Sequence, residues 1–224
     1  MAERFTGFPA EALAFYEGLE ADNSKPFWQA NKPVYDRAVR QPLQLLLAEL
    51  EPVTGPFHTF RPNKDVRFSK DKTPYKTNTG SVAEGEGGTM YYVEFSAKGL
   101  RVGVGYYAMA TDQLERFRAA VDDEHRGREV ELLCGALIRR GYTIGAISEL
   151  KTAPRGYAKD HPRIELLRRK GLIAMRHWEP APWLATAAVT KKVRGAFADG
   201  AALSSWLDAH VGPSLLPPDE AHRW

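Results

Sequence analysis

Residues 90–108 carry the pattern that most restricts how this chain can fold. Two stretches rich in apolar, aromatic and β-branched residues, Met90 to Ser96 and Leu100 to Ala108, flank the short segment Ala97-Lys98-Gly99. The spacing is that of a β-hairpin, and the glycine falls where such a turn commonly requires a positive φ. We therefore expect two antiparallel strands at the centre of a sheet.

Alternate residues of the second predicted strand should point to opposite faces of the sheet. Leu100 and Val102 begin one face, whereas Gly103 and Gly105 lie on the other. Because glycine has no side chain, another part of the protein or a ligand can approach that face closely. A helix packed on the sheet is the simpler interpretation, and a bound ligand is the alternative.

Helices are predicted on the N-terminal side of the hairpin. The spacing of apolar residues predicts a short helix within Phe5 to Leu19 and a long helix over Phe27 to Leu50. The segment Asp22-Asn23-Ser24 supplies residues that can cap the start of the long helix. Pro42 lacks a backbone N–H, so we expect a kink or a break there.

Helices are also predicted on the C-terminal side. Glu129 to Arg140 shows the clearest helical period in the chain. Two further helices are expected near the C-terminus, one carrying Val189 to Phe197 and the next carrying Leu203 to Val211. A mostly antiparallel sheet covered by helices from both ends of the chain is an α+β fold, which we expect as a single domain over residues 1–212 with a tail over 213–224.

The composition excludes two classes of protein. Hydrophobic residues make up 43% of the 224 residues, which is too apolar for a disordered protein, and no apolar run is long enough to span a bilayer. Cys134 is the only cysteine, so no disulfide can form within the chain. We expect a cytoplasmic protein that does not enter a membrane, with Cys134 as a core thiol on the apolar face of its helix.

Positive charge is concentrated in two segments. The first basic segment, Arg61 to Asn78, holds six basic residues against two acids, and the second basic segment, Lys151 to Gly171, holds seven against two. Because the whole chain has a net charge of only +3, the remainder is net negative. Segregated charge of this kind predicts a local field that attracts phosphate, carboxylate or nucleic acid.

Both basic segments supply groups that can hold an anion. Arginine offers a planar fork of donors, lysine offers a point charge, and hydroxyl groups add further donors. The candidate ligand-binding residues are Arg67, Ser69, Lys72, Tyr75, Lys76, Arg155, Tyr157 and Lys170.

Acids and a histidine among these cations are the candidates for catalysis. Asp65 and Asp71 could act as general bases or could orient the lysines, and orientation is the more frequent role. His161, which precedes Pro162, is the candidate for proton transfer. The six histidines show no spacing that would argue for zinc, so the sequence assigns no metal ligand and no cofactor.

Two motif matches fail on their context. Gly103-Val-Gly105-Tyr-Tyr-Ala108 has the letters of a dinucleotide fingerprint, but its glycines lie inside a predicted strand rather than in the turn before a helix. Ser69 to Lys72 matches S-x-x-K, in which a lysine one helical turn away activates a serine nucleophile. Pro74 disfavours a helix there, so we set a serine-nucleophile enzyme aside.

Motifs spread over nearly the whole chain resemble one family. The longest are D-V-R-F-S-K-D-K-T-P-Y-K-T at Asp65 to Thr77 and L-K-T-A-P-R-G-Y-A-K-D-H-P-R at Leu150 to Arg163. Shorter ones are F-T-G-F at Phe5, N-S-K-P-F-W at Asn23 and L-L-R-R-K-G at Leu166. By these motifs the chain is identified as a member of the family called domain of unknown function 2461. The resemblance implies no activity, cofactor or catalytic residue, but its signature falls on the two basic segments.

Three hypotheses of function are consistent with these features. In the first, the basic segments meet at one edge of the sheet as a pocket for a small phosphorylated or carboxylated ligand, and hydrolase or transferase chemistry stays open. In the second, the same cations contact nucleic-acid phosphates while Phe68, Tyr75 or Tyr157 stack on bases, which makes binding strongly salt-dependent. In the third, the basic residues pair with Asp65, Asp71 and Asp160, the loops are purely structural, and no ligand binds.

Overall fold

Six strands form one sheet in the computed structural model, which describes residues 3–67, 70–85 and 87–217. The strands are β1 (His58–Thr59), β2 (Asn78–Glu84), β3 (Met90–Ser96), β4 (Gly99–Tyr106), β5 (Thr143–Gly145) and β6 (Leu172–Trp178). Their order in the sheet is β1-β2-β3-β4-β6-β5. β1 runs antiparallel to β2 with His58 opposite Val82, and β5 runs antiparallel to β6 with Thr143 opposite Met175.

The predicted hairpin is confirmed as β3 and β4. Gly99, which follows the turn, has a φ of +99°, in the region that favours glycine. The atoms that a side chain at Gly103 or Gly105 would meet first belong to the neighbouring strand β6 of the same sheet and not to the expected helix. A Cβ at Gly103 would overlap the Met175 side chain, and one at Gly105 would lie 2.5 Å from the Leu172 carbonyl oxygen. The two glycines therefore permit close approach between neighbouring strands.

Helices supply the remaining regular structure, and the α+β fold is confirmed. The α-helices are α1 (Ala10–Ala21), α2 (Lys25–Val34), α3 (Gln41–Thr54), α4 (Thr111–Asp122), α5 (Glu124–Arg139), α6 (Ile164–Leu167) and α7 (Ala188–His210). A π-helix covers Tyr35–Arg40, and a 3₁₀-helix covers Pro182–Ala185. α5 begins earlier than its apolar period indicated, because the Asp123 side chain accepts a hydrogen bond from the Arg126 N–H at 2.9 Å and caps the helix.

The predicted long N-terminal helix is present as a nearly unbroken run with an irregular centre. Ser24 caps α2 by accepting a hydrogen bond from the Phe27 N–H at 3.2 Å. The run then passes into the π-helix immediately before Pro42, and the Gln41 N–H donates to the Asp36 carbonyl, five residues back. Because proline cannot donate and its ring crowds the carbonyl four residues earlier, the wider turn accommodates Pro42 without ending the helix.

The C-terminus differs from the two helices expected from the sequence. α7 is one helix that includes both Val189 and Leu207. Its glycine at position 200 lies against β4, and a Cβ there would overlap the Val104 side chain. Glycine here permits close helix–strand packing, which offsets its low helix propensity.

The chain divides into two compact units. The first unit is formed by described residues within 1–84, 92–102 and 177–196, and the second by those within 85–91, 103–176 and 197–224. In the first unit, the buried Phe8 ring stacks on Phe95 of β3 with centroids 4.2 Å apart. In the second unit, Phe117 of α4 meets Trp206 of α7 edge to face at 6.4 Å. None of the helices in the described part of the chain is both long enough and apolar enough to cross a membrane.

Candidate functional site

The first basic segment folds back on itself as a narrow loop in the first unit. Asn63 pairs with Tyr75 in an isolated antiparallel bridge. Next to the bridge, the Lys64 N–H donates to the Pro74 carbonyl and the Lys76 N–H donates to the Pro62 carbonyl, both at 2.8 Å. The charged residues between these bonds therefore lie in a closed loop whose base is fixed by the backbone. Ser69, one of the candidate ligand-binding residues, and Phe68 lie outside the described residues.

The two acids of this loop pair with its own cations. Asp65 accepts two side-chain hydrogen bonds from Arg67, at 2.6 and 3.0 Å, and these bonds lower the pKa of Asp65. Asp71 accepts from Lys64 at 2.8 Å and from Thr73, and these bonds hold the pKa of Asp71 well below its usual range. Both acids are thus held as carboxylates that orient neighbouring groups, and a role for either as a base stays a prediction.

Three other candidate residues of the loop also make contacts within the protein. Lys72 Nζ donates to the Val66 carbonyl at 2.9 Å. Lys76 Nζ lies 5.2 Å from the centre of the Phe60 ring, at cation–π distance. Tyr75 is only 6% exposed and stacks on Trp28, so its ring is part of the core of the first unit. Ligand binding by Arg67, Lys72, Tyr75 or Lys76 would have to use groups that already have internal contacts.

The second basic segment belongs to the second unit, and most of its arginines hold the backbone. Arg163 is buried and donates to the carbonyls of Val121 and Asp122 at 2.7 and 3.1 Å. Arg168 donates to the Leu150 carbonyl, and Arg169 donates to the Ile144 carbonyl, each at 2.6 Å. These bonds occupy guanidinium groups that charge counting alone would assign to an anion.

The remaining candidates of the second segment are less constrained. Arg155 is exposed, and neither its side chain nor that of Lys170 has a hydrogen-bond or ion-pair partner among the described residues. Burial raises the pKa of Tyr157, with Asp122 adding to the effect and Arg118 opposing it. The convergence of the two basic segments on one ligand stays a prediction.

His161 is engaged through both ring nitrogens. Its Nδ1 accepts a hydrogen bond from the Arg163 N–H at 3.0 Å, which places the ring proton of the neutral form on Nε2. Nε2 lies 3.1 Å from Asp122 Oδ1 and donates to it. Proton transfer by His161 stays a prediction, and it would require one of these two bonds to break.

A polar cavity of about 150 Å³ lies entirely within the first unit. At the ~10–15 Å³ that one water molecule needs, it has room for a group of roughly ten non-hydrogen atoms. Thr77 and Asn78, the last residues of the first basic segment, line the cavity, so this segment borders it directly. The charged and imidazole groups that line it are Glu20, Glu94, Lys98, Arg101 and His177.

Among these described groups, the Glu94 carboxylate is the one held by side-chain hydrogen bonds. One of its carboxylate oxygens accepts hydrogen bonds from the Tyr92 hydroxyl at 2.6 Å and from the Asn78 amide at 3.2 Å. Its other oxygen lies 3.7 Å from a guanidinium nitrogen of Arg101, and the Glu94 side chain is only 12% exposed. Glu94 is therefore a fixed carboxylate that forms an ion pair with Arg101, whose side chain is 47% exposed and keeps donors available to the cavity.

The hairpin turn brings a lysine and a histidine to the same cavity. His177 Nε2 donates to the Lys98 carbonyl at 2.6 Å, which fixes the turn and places the proton of a neutral His177 on that nitrogen. Gly99 completes this wall, because a Cβ there would overlap the Trp178 carbonyl oxygen. Neither the Lys98 ammonium nor the Glu20 carboxylate has a partner among the described residues.

Sequence reasoning missed this cavity. Glu20 is one of several exposed acids on α1, and Lys98 was identified only as a turn residue. Arg101 is a single charged residue in a mostly apolar strand, and His177 lies far from it in the sequence, so no local pattern indicated that the two line one cavity. The described residues contain no cluster of three or more His, Cys, Asp or Glu side chains that could hold a metal ion.

Fold and site together define the class of protein: an α+β protein with a small polar cavity lined by both cations and carboxylates. The chain belongs to the family described as conserved hypothetical protein (DUF2461), whose model matches residues 11–206. This confirms the resemblance seen in the sequence motifs. No curated protein and no solved structure matches the chain.

Proposed function

We propose that this protein binds a small phosphorylated or carboxylated molecule in the polar cavity of the first unit. The observation that carries the proposal is the presence of Lys98 and Arg101 around one cavity, with the Lys98 ammonium unpartnered among the described residues. Nitrogen donors around a concave site are the usual means of holding an anionic group.

One of these donors, Arg101, is paired with an acid of the cavity before any ligand arrives. Arg101 forms an ion pair with Glu94 at 3.7 Å, and Glu94 is held in turn by hydrogen bonds from Tyr92 and Asn78. A guanidinium that is already oriented loses less side-chain entropy on binding, which favours affinity.

The first basic segment contributes through its field rather than through direct contacts. It carries a local charge of +4, and its last two residues line the cavity. A positive field beside a cavity raises the local concentration of anions. Through this field the segment contributes to anion binding, even though Arg67 and Lys72 already have contacts within the protein. We also propose a cytoplasmic location, where the single cysteine remains a thiol.

Calorimetric titration with inorganic phosphate and with acetate tests the proposal, using two matched variants. Arg101→Ala removes a cavity cation, whereas Arg67→Ala removes an exposed, acid-paired arginine outside the cavity lining. A charge-assisted hydrogen bond contributes about 1.5–3 kcal/mol, so Arg101→Ala should weaken binding roughly 10- to 100-fold and Arg67→Ala should change it little.

The opposite result would place the anion-binding site in the first basic segment. If Arg67→Ala abolishes binding and Arg101→Ala does not, the cavity is not the anion site.

A nucleic acid is the competing partner, and its binding would fall steeply with salt because many phosphates are neutralised at once. If single-stranded oligonucleotides bind with such a steep slope and the small anions do not bind, the proposed function is overturned.

A further inference from the structure

The cavity offers an unpartnered carboxylate as well as unpartnered donors. Glu20 lies near the end of α1, lines the cavity and has no hydrogen bond or ion pair within the described part of the chain. Glu94, the other acid, is already committed to Tyr92, Asn78 and Arg101. One acid is therefore available to a ligand, and one is used to build the site.

The charge balance of the cavity separates classes of ligand. Its two carboxylates and two cations give a lining without net charge while His177 is neutral. A ligand that is only anionic would gain contacts with Lys98 and Arg101 but would place its charge near the Glu20 carboxylate. A ligand that also carries an ammonium group can pair with both signs of charge, and this combination discriminates against plain anions.

We infer that the ligand is a small zwitterion, an amino acid or an aminoalkyl phosphate, whose anionic group meets Lys98 and Arg101 and whose ammonium group meets Glu20. The inference rests on the proposed function and specifies its ligand class. Cavity volume supports it, because about 150 Å³ accommodates a molecule of this size.

Pairs of probes that differ by one ammonium group test the inference. Glycine is compared with acetate, and O-phosphoethanolamine with ethyl phosphate, by calorimetry or by chemical-shift titration. In the wild-type protein, the zwitterion of each pair should bind at least about tenfold more tightly than the plain anion. Glu20→Gln should remove this preference while acetate and ethyl phosphate bind as well as before or better, since a like charge is gone.

Glu17→Gln is the matched control, because Glu17 is exposed on the same helix and does not line the cavity. It should leave the preference unchanged. If the plain anions bind but the zwitterions bind no better, the inference fails and the proposed function stands. If the preference survives in Glu20→Gln, Glu20 is not the partner of the ammonium group and the inference also fails. If none of the four probes binds, the proposed function itself fails.

Discussion

Tyr75 stacks on Trp28 with ring centroids 4.4 Å apart and ring planes inclined by 11°. The backbone of Tyr75 is also held by Asn23, whose side chain both accepts from its N–H and donates to its carbonyl, each at 3.0 Å. Two of the stretches that identify the family, Asn23 to Trp28 and Asp65 to Thr77, are thus in direct contact. Their joint role is to fix the base of the first basic segment on the helical part of the first unit.

Replacing Tyr75 should therefore cost stability. Tyr75→Ala removes a buried aromatic ring and leaves a cavity beside Trp28, so the free energy of unfolding should fall by about 3–5 kcal/mol in urea denaturation. Tyr107→Ala is the comparison, because Tyr107 is 47% exposed, and it should lower stability by only about 1–2 kcal/mol. Unchanged stability in Tyr75→Ala, together with lost affinity for inorganic phosphate, would instead identify Tyr75 as a ligand-binding residue.

Two glycines of α5 should respond in opposite directions to the same substitution. A Cβ at Gly127 would overlap the Val121 carbonyl oxygen and the Arg163 guanidinium, whereas at Gly135 the nearest atom is Arg139 Nη1 at 3.5 Å. Gly127→Ala should lower the free energy of unfolding by about 1–3 kcal/mol through overpacking. Gly135→Ala should raise it by about 0.5–1 kcal/mol, because alanine has the better helix propensity. Thermal denaturation of both variants measures this, and a stabilised Gly127→Ala would contradict the buried position of Arg163.

Asp112 should make the stability of the second unit depend on acid pH. Burial alone would raise the pKa of Asp112, but hydrogen bonds from the Leu215 N–H, the Ser214 hydroxyl and Arg116 outweigh burial and lower that pKa to about 2. Because the carboxylate is favoured in the folded state, its contribution to stability is present above the unfolded pKa near 3.9 and is lost as the pH falls towards 2.

Urea denaturation across this range checks the expectation. The difference in stability between the wild type and Asp112→Asn should be largest at neutral pH and should shrink as the pH falls from about 4 to about 2. Glu115→Gln, at an exposed position of the same helix, is the control and should leave the pH profile unchanged. A difference that stays constant with pH would show that the three bonds do not depend on the charge of Asp112.

The elements that depend on local sequence were predicted well. The hairpin, the family motifs, the burial of Cys134 and the disturbance of the helix near Pro42 are all present. Burial raises the pKa of the Cys134 thiol to about 11, in accord with its expected place in the core. Each of these features follows from spacing or from the covalent chemistry of one residue, which the sequence states directly.

The single helix α7 could not be predicted in the same way. Glycine at position 200 lies between the two apolar runs that were expected as separate helices, yet the helix continues through it and packs closely on Val104 there. Similarly, Gly103 and Gly105 indicated close approach correctly but not by which element. A glycine shows where a side chain is absent, and only the packing shows what occupies the space.

The sequence by itself determined the central hairpin, the family and the segregation of positive charge, because these depend on residue types at short separations. The tertiary structure decided which charges remain available to a ligand, because pairing depends on distances between residues far apart in the chain. Arg67 is held by Asp65 only two residues away, while Lys98 reaches the same cavity as Glu20 and His177. Counting charges along the sequence located the two basic segments. The fold, in contrast, forms a polar cavity from residues of α1, the β3–β4 hairpin and β6, and this cavity borders the first basic segment.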